Sequence, residues 1–104
     1  MYIDDCLKGT HLIMNSDFTE PLNLGSDQLV TINQLVDIVE SIAGVKLLRR
    51  YDLGAPTGVR GRNSDNTLIQ RVLGWAPGIS LEYGLEQTYR WIYDEMTVND
   101  RRYA

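Results

Sequence analysis

The chain has 104 residues, 43% of them apolar, and a formal net charge of −4. That composition allows one modest core rather than two, and the acidic balance argues against nucleic acid or an anionic membrane as partner. A single cysteine excludes an internal disulfide and a cysteine-built metal site.

In chain order, Asp4 is placed to cap a first helix. Ile3, Cys6, Leu7, Ile13 and Met14 recur at helical spacing and predict that helix to about Asn15. Within that stripe Cys6 reads as a small core residue. His11 is the only histidine and has no partner for metal binding or catalysis. Asp4 and Asp5 are adjacent, so they point in different directions and read as capping and solvated groups, not a carboxylate pair. Residues 20–25, bounded by Pro21 and Gly25, predict a short strand, and residues 30–31 a second, briefer one.

Thr31 followed by Gln34 is a capping box ahead of the apolar stripe Ile32, Leu35, Val36, Val39, Ile42 and Ala43, which Gly44 ends. Residues 45–51 predict another strand, with Lys46, Arg49 and Arg50 making one side wet or ligand-facing. Residues 53–63 form a long irregular segment, a length usually reserved for functional loops. Ser64 is the expected cap of a third helix, with Leu68, Ile69, Val72 and Leu73 facing inward and Gly74 and Pro77 stopping it. Ser80 caps a last helix whose expected buried side is Leu81, Leu85, Thr88, Tyr89, Ile92 and Met96. The aromatic group Tyr89, Trp91 and Tyr93 reads as core or partner-facing packing. From Thr97 onward a polar tail is expected to fray.

The resulting fold class is α/β of an α+β-like kind, with about four helices and two or three short strands. It forms one domain over residues 1–96 with a tail over 97–104. So little sheet cannot hold a layer alone, so some apolar helix faces want a further partner. The lack of a signal peptide or long apolar run predicts a soluble, cytoplasmic chain.

The most informative stretch is Thr57-Gly58-Val59-Arg60-Gly61-Arg62-Asn63-Ser64-Asp65-Asn66. Arginine offers a charged, forked donor that matches phosphate oxygens, and glycine lets backbone approach a ligand closely. Two arginines alternating with Gly58 and Gly61 therefore point to an anion grip, with a nucleotide diphosphate as the anion. The bland alternative is an exposed turn whose arginines pair with neighbouring carboxylates. Asp65 reads as a structural charge in the first helical turn. Trp75 reads as a core anchor behind the loop.

Four motifs occur in order: Tyr2-Ile3-Asp4-Asp5, Glu20-Pro21-Leu22-Asn23-Leu24-Gly25-Ser26, Val59 through Asn66, and Leu73-Gly74-Trp75-Ala76-Pro77. The series resembles the C-terminal part of the extended short-chain dehydrogenase/reductases, the NAD-dependent nucleotide-sugar epimerases and dehydratases. The arginine run is most similar to the GDP-mannose epimerase branch of that family. The resemblance implies a nucleotide-sugar-binding portion, with Arg62 first and Arg60 second as diphosphate ligands and Asn63 and Ser64 as further donors. It also implies that NAD and the catalytic residues belong to a Rossmann domain. Neither the fingerprint G-x-G-x-x-G nor a Tyr-x-x-x-Lys occurs in this chain. No catalytic, cofactor-binding or metal residue is therefore expected here, and no turnover by this chain alone. A nucleotide sugar, a Rossmann-domain partner and a homo-oligomer are the expected associations. The competing reading is a stand-alone, non-catalytic module that binds a phosphorylated ligand or docks on another protein.

Overall fold

The computed structural model describes residues 1–98, so the predicted tail beyond Val98 lies outside the described residues. Four helices follow one another: α1 (Ile3–Met14), α2 (Ile32–Ala43), α3 (Thr67–Leu73) and α4 (Leu81–Thr97).

Local chemistry sets the ends of the two strongest helices. At the start of α2, Thr31 Oγ1 accepts from the Gln34 amide at 3.1 Å and Gln34 Oε1 accepts from the Thr31 amide at 2.8 Å. The reciprocal pair satisfies two amides that the helix itself leaves unbonded. Gly44 closes α2 at φ 68°, in the left-handed region that favours glycine. Ser80 Oγ accepts from the Tyr83 amide at 3.2 Å and caps α4, while Gly74 at φ 63° stops α3.

Among the described residues there is no strand, so the expected α/β class is corrected to all-α. The three segments read as strands are extended but carry no ladder. Residues 20–30 run beside residues 63–66, yet only one backbone bond joins them, from Ser64 N to Ser26 O at 2.8 Å. The other ties there are made by side chains. Residues 45–51 turn back along α2 and are fixed to a side chain, with Leu47 N donating to Glu40 Oε1 at 3.2 Å. A β ladder needs alternating backbone bonds between two chains, and neither segment has such a neighbour.

Helix α1 inverts the expected pattern. Tyr2, not Asp4, occupies its N-cap position, and no side chain caps it. Asp5, expected to be solvated, is only 6% exposed and accepts from Gly78 N at 3.0 Å and Ile79 N at 2.8 Å. Gly9 is also buried, because Leu24 and Trp75 press onto it: a methyl there would lie 2.4 Å from Leu24 Cδ1. Meanwhile Ile3, Leu7 and Met14, read as a core stripe, are 55%, 62% and 78% exposed.

Packing elsewhere follows α2 against α4. The start of α1 joins them through Tyr2, whose ring meets Tyr83 edge-on and whose Cβ would sit 3.0 Å from a methyl on Gly84. The core these contacts enclose is small. Ile69 is the buried apolar side chain among the described residues, at 1% exposure. Ile92 and Met96, expected on the buried side of α4, are exposed, as is Ile32 at the start of α2. The radius of gyration is 17.4 Å, against about 13 Å for a compact domain of this length. The accessible surface is 8675 Å², against about 5,900 Å² for a compact monomer of this mass. Apart from Ile69, the apolar residues at helical spacing are half-buried or exposed, because few elements exist to cover them.

Candidate functional site

The arginine loop follows the α2 return segment and ends at α3. Residues 51–63 are exposed throughout. Arg60, Gly61 and Arg62 line a cleft of about 640 Å³. The rest of its lining is mostly apolar, with Tyr2, Ile32, Leu35, Leu81 and Leu85 from the start of α1, α2 and α4 among it. The cleft thus combines two cations with a mostly apolar lining, a combination suited to a ligand with an anionic group and a flat or apolar body.

Both arginines are exposed, and among the described residues neither makes an ion pair or a side-chain hydrogen bond. Their guanidinium donors are available to solvent or ligand. Gly61 between them lies under Leu29, where a methyl would come within 3.3 Å of Leu29 Cδ1. Gly58 has open space around it and neither glycine adopts a positive φ. The loop path therefore makes no conformational demand for glycine at 58.

The other two site residues face a different way. Asn63 Nδ2 donates to Asp27 O at 3.0 Å, and Ser64 Oγ donates to Asn66 Oδ1 at 2.7 Å. Neither residue lines the arginine cleft. Ser64 is not the cap of α3: Asn66 holds that position, and its side chain donates to Gly25 O at 3.0 Å instead of capping. Asp65 precedes the helix rather than lying in its first turn. It accepts from Thr67 Oγ1 at 2.6 Å and Thr67 N at 3.0 Å, and those bonds hold its carboxyl below the usual carboxylate range.

The second basic stretch has a structural role. Arg49 pairs with Asp37 and, at 3.0 Å, with Glu40, and Lys46 Nζ lies 3.2 Å from Glu40. Glu40 is 5% exposed and is the hub of this arrangement. The Arg49 hydrogen bond, with Lys46 and the Leu47 amide, holds its carboxyl below the usual range despite burial. Asp37, then Glu40, raises the Arg49 pKa. Of the three cations expected to make one side of residues 45–51 wet or ligand-facing, Arg49 and Lys46 are thus paired with α2, while Arg50 is exposed and has no ion pair among the described residues.

Of the remaining candidates, Trp75 packs at Gly9 on α1 with Lys8 Nζ 5.7 Å above its ring, not behind the arginine loop. Exposed His11 bonds only with Asn15. Tyr89 stacks on Tyr93 at 6.2 Å, while Trp91 is 65% exposed. Among the described residues no group of three His, Cys, Asp or Glu could hold a metal, and no helix is long and apolar enough to cross a membrane.

No family model matches the chain. It is 45% identical over 95 residues to GDP-mannose 3,5-epimerase 1 of Oryza sativa subsp. japonica, a match covering 91% of this chain and 25% of that protein. It is 46% identical over 95 residues to GDP-mannose 3,5-epimerase of Arabidopsis thaliana, with the same two shares. Over 91 residues it is 34% identical to UDP-glucuronate 4-epimerase of Thermodesulfobacterium geofontis, covering 86% of this chain and 28% of that protein. The chain corresponds to the C-terminal part of an extended short-chain dehydrogenase/reductase. It spans about a quarter of the length of these relatives.

In this part of an extended short-chain dehydrogenase/reductase, three residues matter that the sequence reading passed over or misjudged. Asp5 fastens α1 to residues 78–79, Glu40 collects two cations, and Asn66 ties α3 to residue 25. Only Glu40 had a sequence signal, an acidic residue on an otherwise apolar helix face just before a basic stretch.

Proposed function

We propose that this chain is the nucleotide-sugar-binding part of an enzyme like GDP-mannose 3,5-epimerase, without epimerase turnover of its own. Arg62 and then Arg60 grip the diphosphate, with Asn63 and Ser64 as further members of the same loop. The observation that carries the reading is a pair of guanidinium groups, unpaired among the described residues, in the lining of a mostly apolar cleft. A charge-assisted, bidentate arginine–phosphate contact is roughly twice as strong as a neutral hydrogen bond. Because the cleft is open, part of that gain is lost to solvent and binding is weak.

Four helices without a strand offer no strand–glycine-turn–helix cradle for a dinucleotide. The described residues therefore do not fit NAD, and no redox step is derived from them. On this reading the nicotinamide and its acid/base group come from a Rossmann domain.

The partners follow from the uncovered apolar surface. A Rossmann-type domain covers the exposed side of α1, and copies of this chain associate through that side when no such domain is present. Sedimentation as a strict monomer at high concentration counts against the self-association.

Titration of the full chain with GDP and GDP-mannose, followed by amide NMR shifts, tests the central reading. The expected result is a response centred on residues 60–66 that disappears in Arg62→Ala. A response centred elsewhere, or none at millimolar ligand, overturns it. Epimerised sugar from GDP-mannose and added NAD overturns the claim of no turnover. A response to inorganic phosphate equal to that of GDP favours the stand-alone phosphate-binding module instead.

A further inference from the structure

The arginine loop has few anchors. Among the described residues the backbone from residue 53 to Asn63 makes two bonds, both to Asp52: Ala55 N to its carbonyl at 3.4 Å and Gly54 N to its Oδ1 at 3.0 Å. What fixes its C-terminal end is a set of ties to residues 25–27, and one side chain sits at their centre. Asn66 Nδ2 donates to Gly25 O at 3.0 Å, and its Oδ1 accepts from Ser64 Oγ at 2.7 Å. Both bonds are partly buried, so water competes poorly for them. The backbone carbonyl of Asn66 also accepts from Gln70 N at 3.1 Å, the first turn of α3. Close packing reinforces the ties, since a methyl on Gly25 would lie 3.1 Å from Ser64 Cβ.

We infer that Asn66 is a positioning residue for the arginine grip: it never touches the ligand, but it locks Ser64 and residue 25 together and so sets where Arg60 and Arg62 stand. The inference rests on the diphosphate reading of the loop. Only a primary amide at this position serves both bonds, because one needs a donor and the other an acceptor. In Asn66→Asp the group facing the Gly25 carbonyl is an acceptor, so the tie becomes a repulsion.

The test uses the full chain and its Asn66→Ala and Asn66→Asp variants, with GDP and guanosine as probes and circular dichroism to confirm helicity. In both variants the heteronuclear NOE of amides 58–62 should fall towards loop-tip values. GDP affinity should weaken about fivefold, the scale of one or two lost ordering bonds, while guanosine affinity stays level. Asn66→Ala added to Arg62→Ala should cost no further affinity, since the grip is already gone. Unchanged NOE values, equal losses for GDP and guanosine, or full additivity overturn the inference. Loss of helicity in both variants overturns it too, because Asn66 is then a determinant of the fold. A wild-type chain that ignores GDP, with the NOE still falling in the variants, defeats the diphosphate reading and leaves the positioning role standing.

Discussion

Residues 45–51, which follow Gly44, and residues 57–63, which contain Gly58 and Gly61, each carry two arginines and place them differently. In the first, Arg49 and Lys46 fold onto Glu40 and Asp37 of the helix they have just left. In the second, Arg60 and Arg62 have no acidic partner among the described residues and stand at a cleft. The difference lies in the neighbours. The first segment reverses along α2, whose carboxylates at 37 and 40 lie one turn apart on the same face. The second is tied to residues 25–27 through amides and backbone carbonyls, and the Asp27 carboxylate there forms no ion pair with either arginine. Basic residues stay available to a ligand where the bonds that hold their segment do not engage the guanidinium groups.

The strongest way to break this contrast is Glu40→Ala. It removes the common partner of Lys46, Arg49 and the Leu47 amide and leaves Lys46 without an acid and Arg49 with Asp37 alone. The expected outcome is a drop of several degrees in melting temperature and a new phosphate response at residues 46–50 by NMR. If those residues stay silent, pairing is not what withholds them from ligands.

A crossed pair of variants sharpens it next. Arg49→Ala should lower the melting temperature and leave the GDP response intact, whereas Arg62→Ala should abolish that response with little change in melting. Calorimetry and titration on both proteins supply the four values. A melting change of equal size in the two variants erases the distinction.

Acid provides a third, smaller effect. The Glu40 pKa is lowered from its ordinary 4.5. Its contribution to stability is therefore full above 4.5 and is lost as pH falls from there through the lowered value. Asp65 is lowered from 3.8 by Thr67 and acts in the same direction, over a lower window. Glu40→Gln should flatten the acid limb of a melting-temperature profile and leave the region above pH 5 level, that bound being about half a unit above the ordinary value. A profile parallel to wild type below 4.5 contradicts the assignment.

Smallest is Thr31→Ala, which removes one half of the capping box and costs about 1 kcal/mol by urea denaturation. It weakens the helix that carries Glu40 while sparing the arginine loop. GDP shifts should survive it unchanged.

The helix ends show where the sequence could be read and where it could not. The boundaries of α2 were legible because Thr31, Gln34 and Gly44 act within a few residues of themselves. Ser80 and Gly74 are local signals of the same kind. Asp5 was misread because its partners, the amides of Gly78 and Ile79, are distant in sequence. Ser64 looked like a cap because capping propensity does not reveal that Ser26 and Asn66 have already claimed its polar groups. The strands failed for a related reason: alternation and boundary residues mark a segment able to pair, and pairing depends on a neighbour they do not contain.

By itself, then, the order of residues determined the helical segments, the caps of α2 and α4 and the motif series shared with the nucleotide-sugar epimerases, since each depends on interactions over one or two turns or on identity alone. Tertiary structure decided which cations are spent on carboxylates, which acidic group is buried, and that extended segments stay single. Those outcomes are set by contacts between distant parts of the chain, where geometry selects one partner among many that are chemically equivalent.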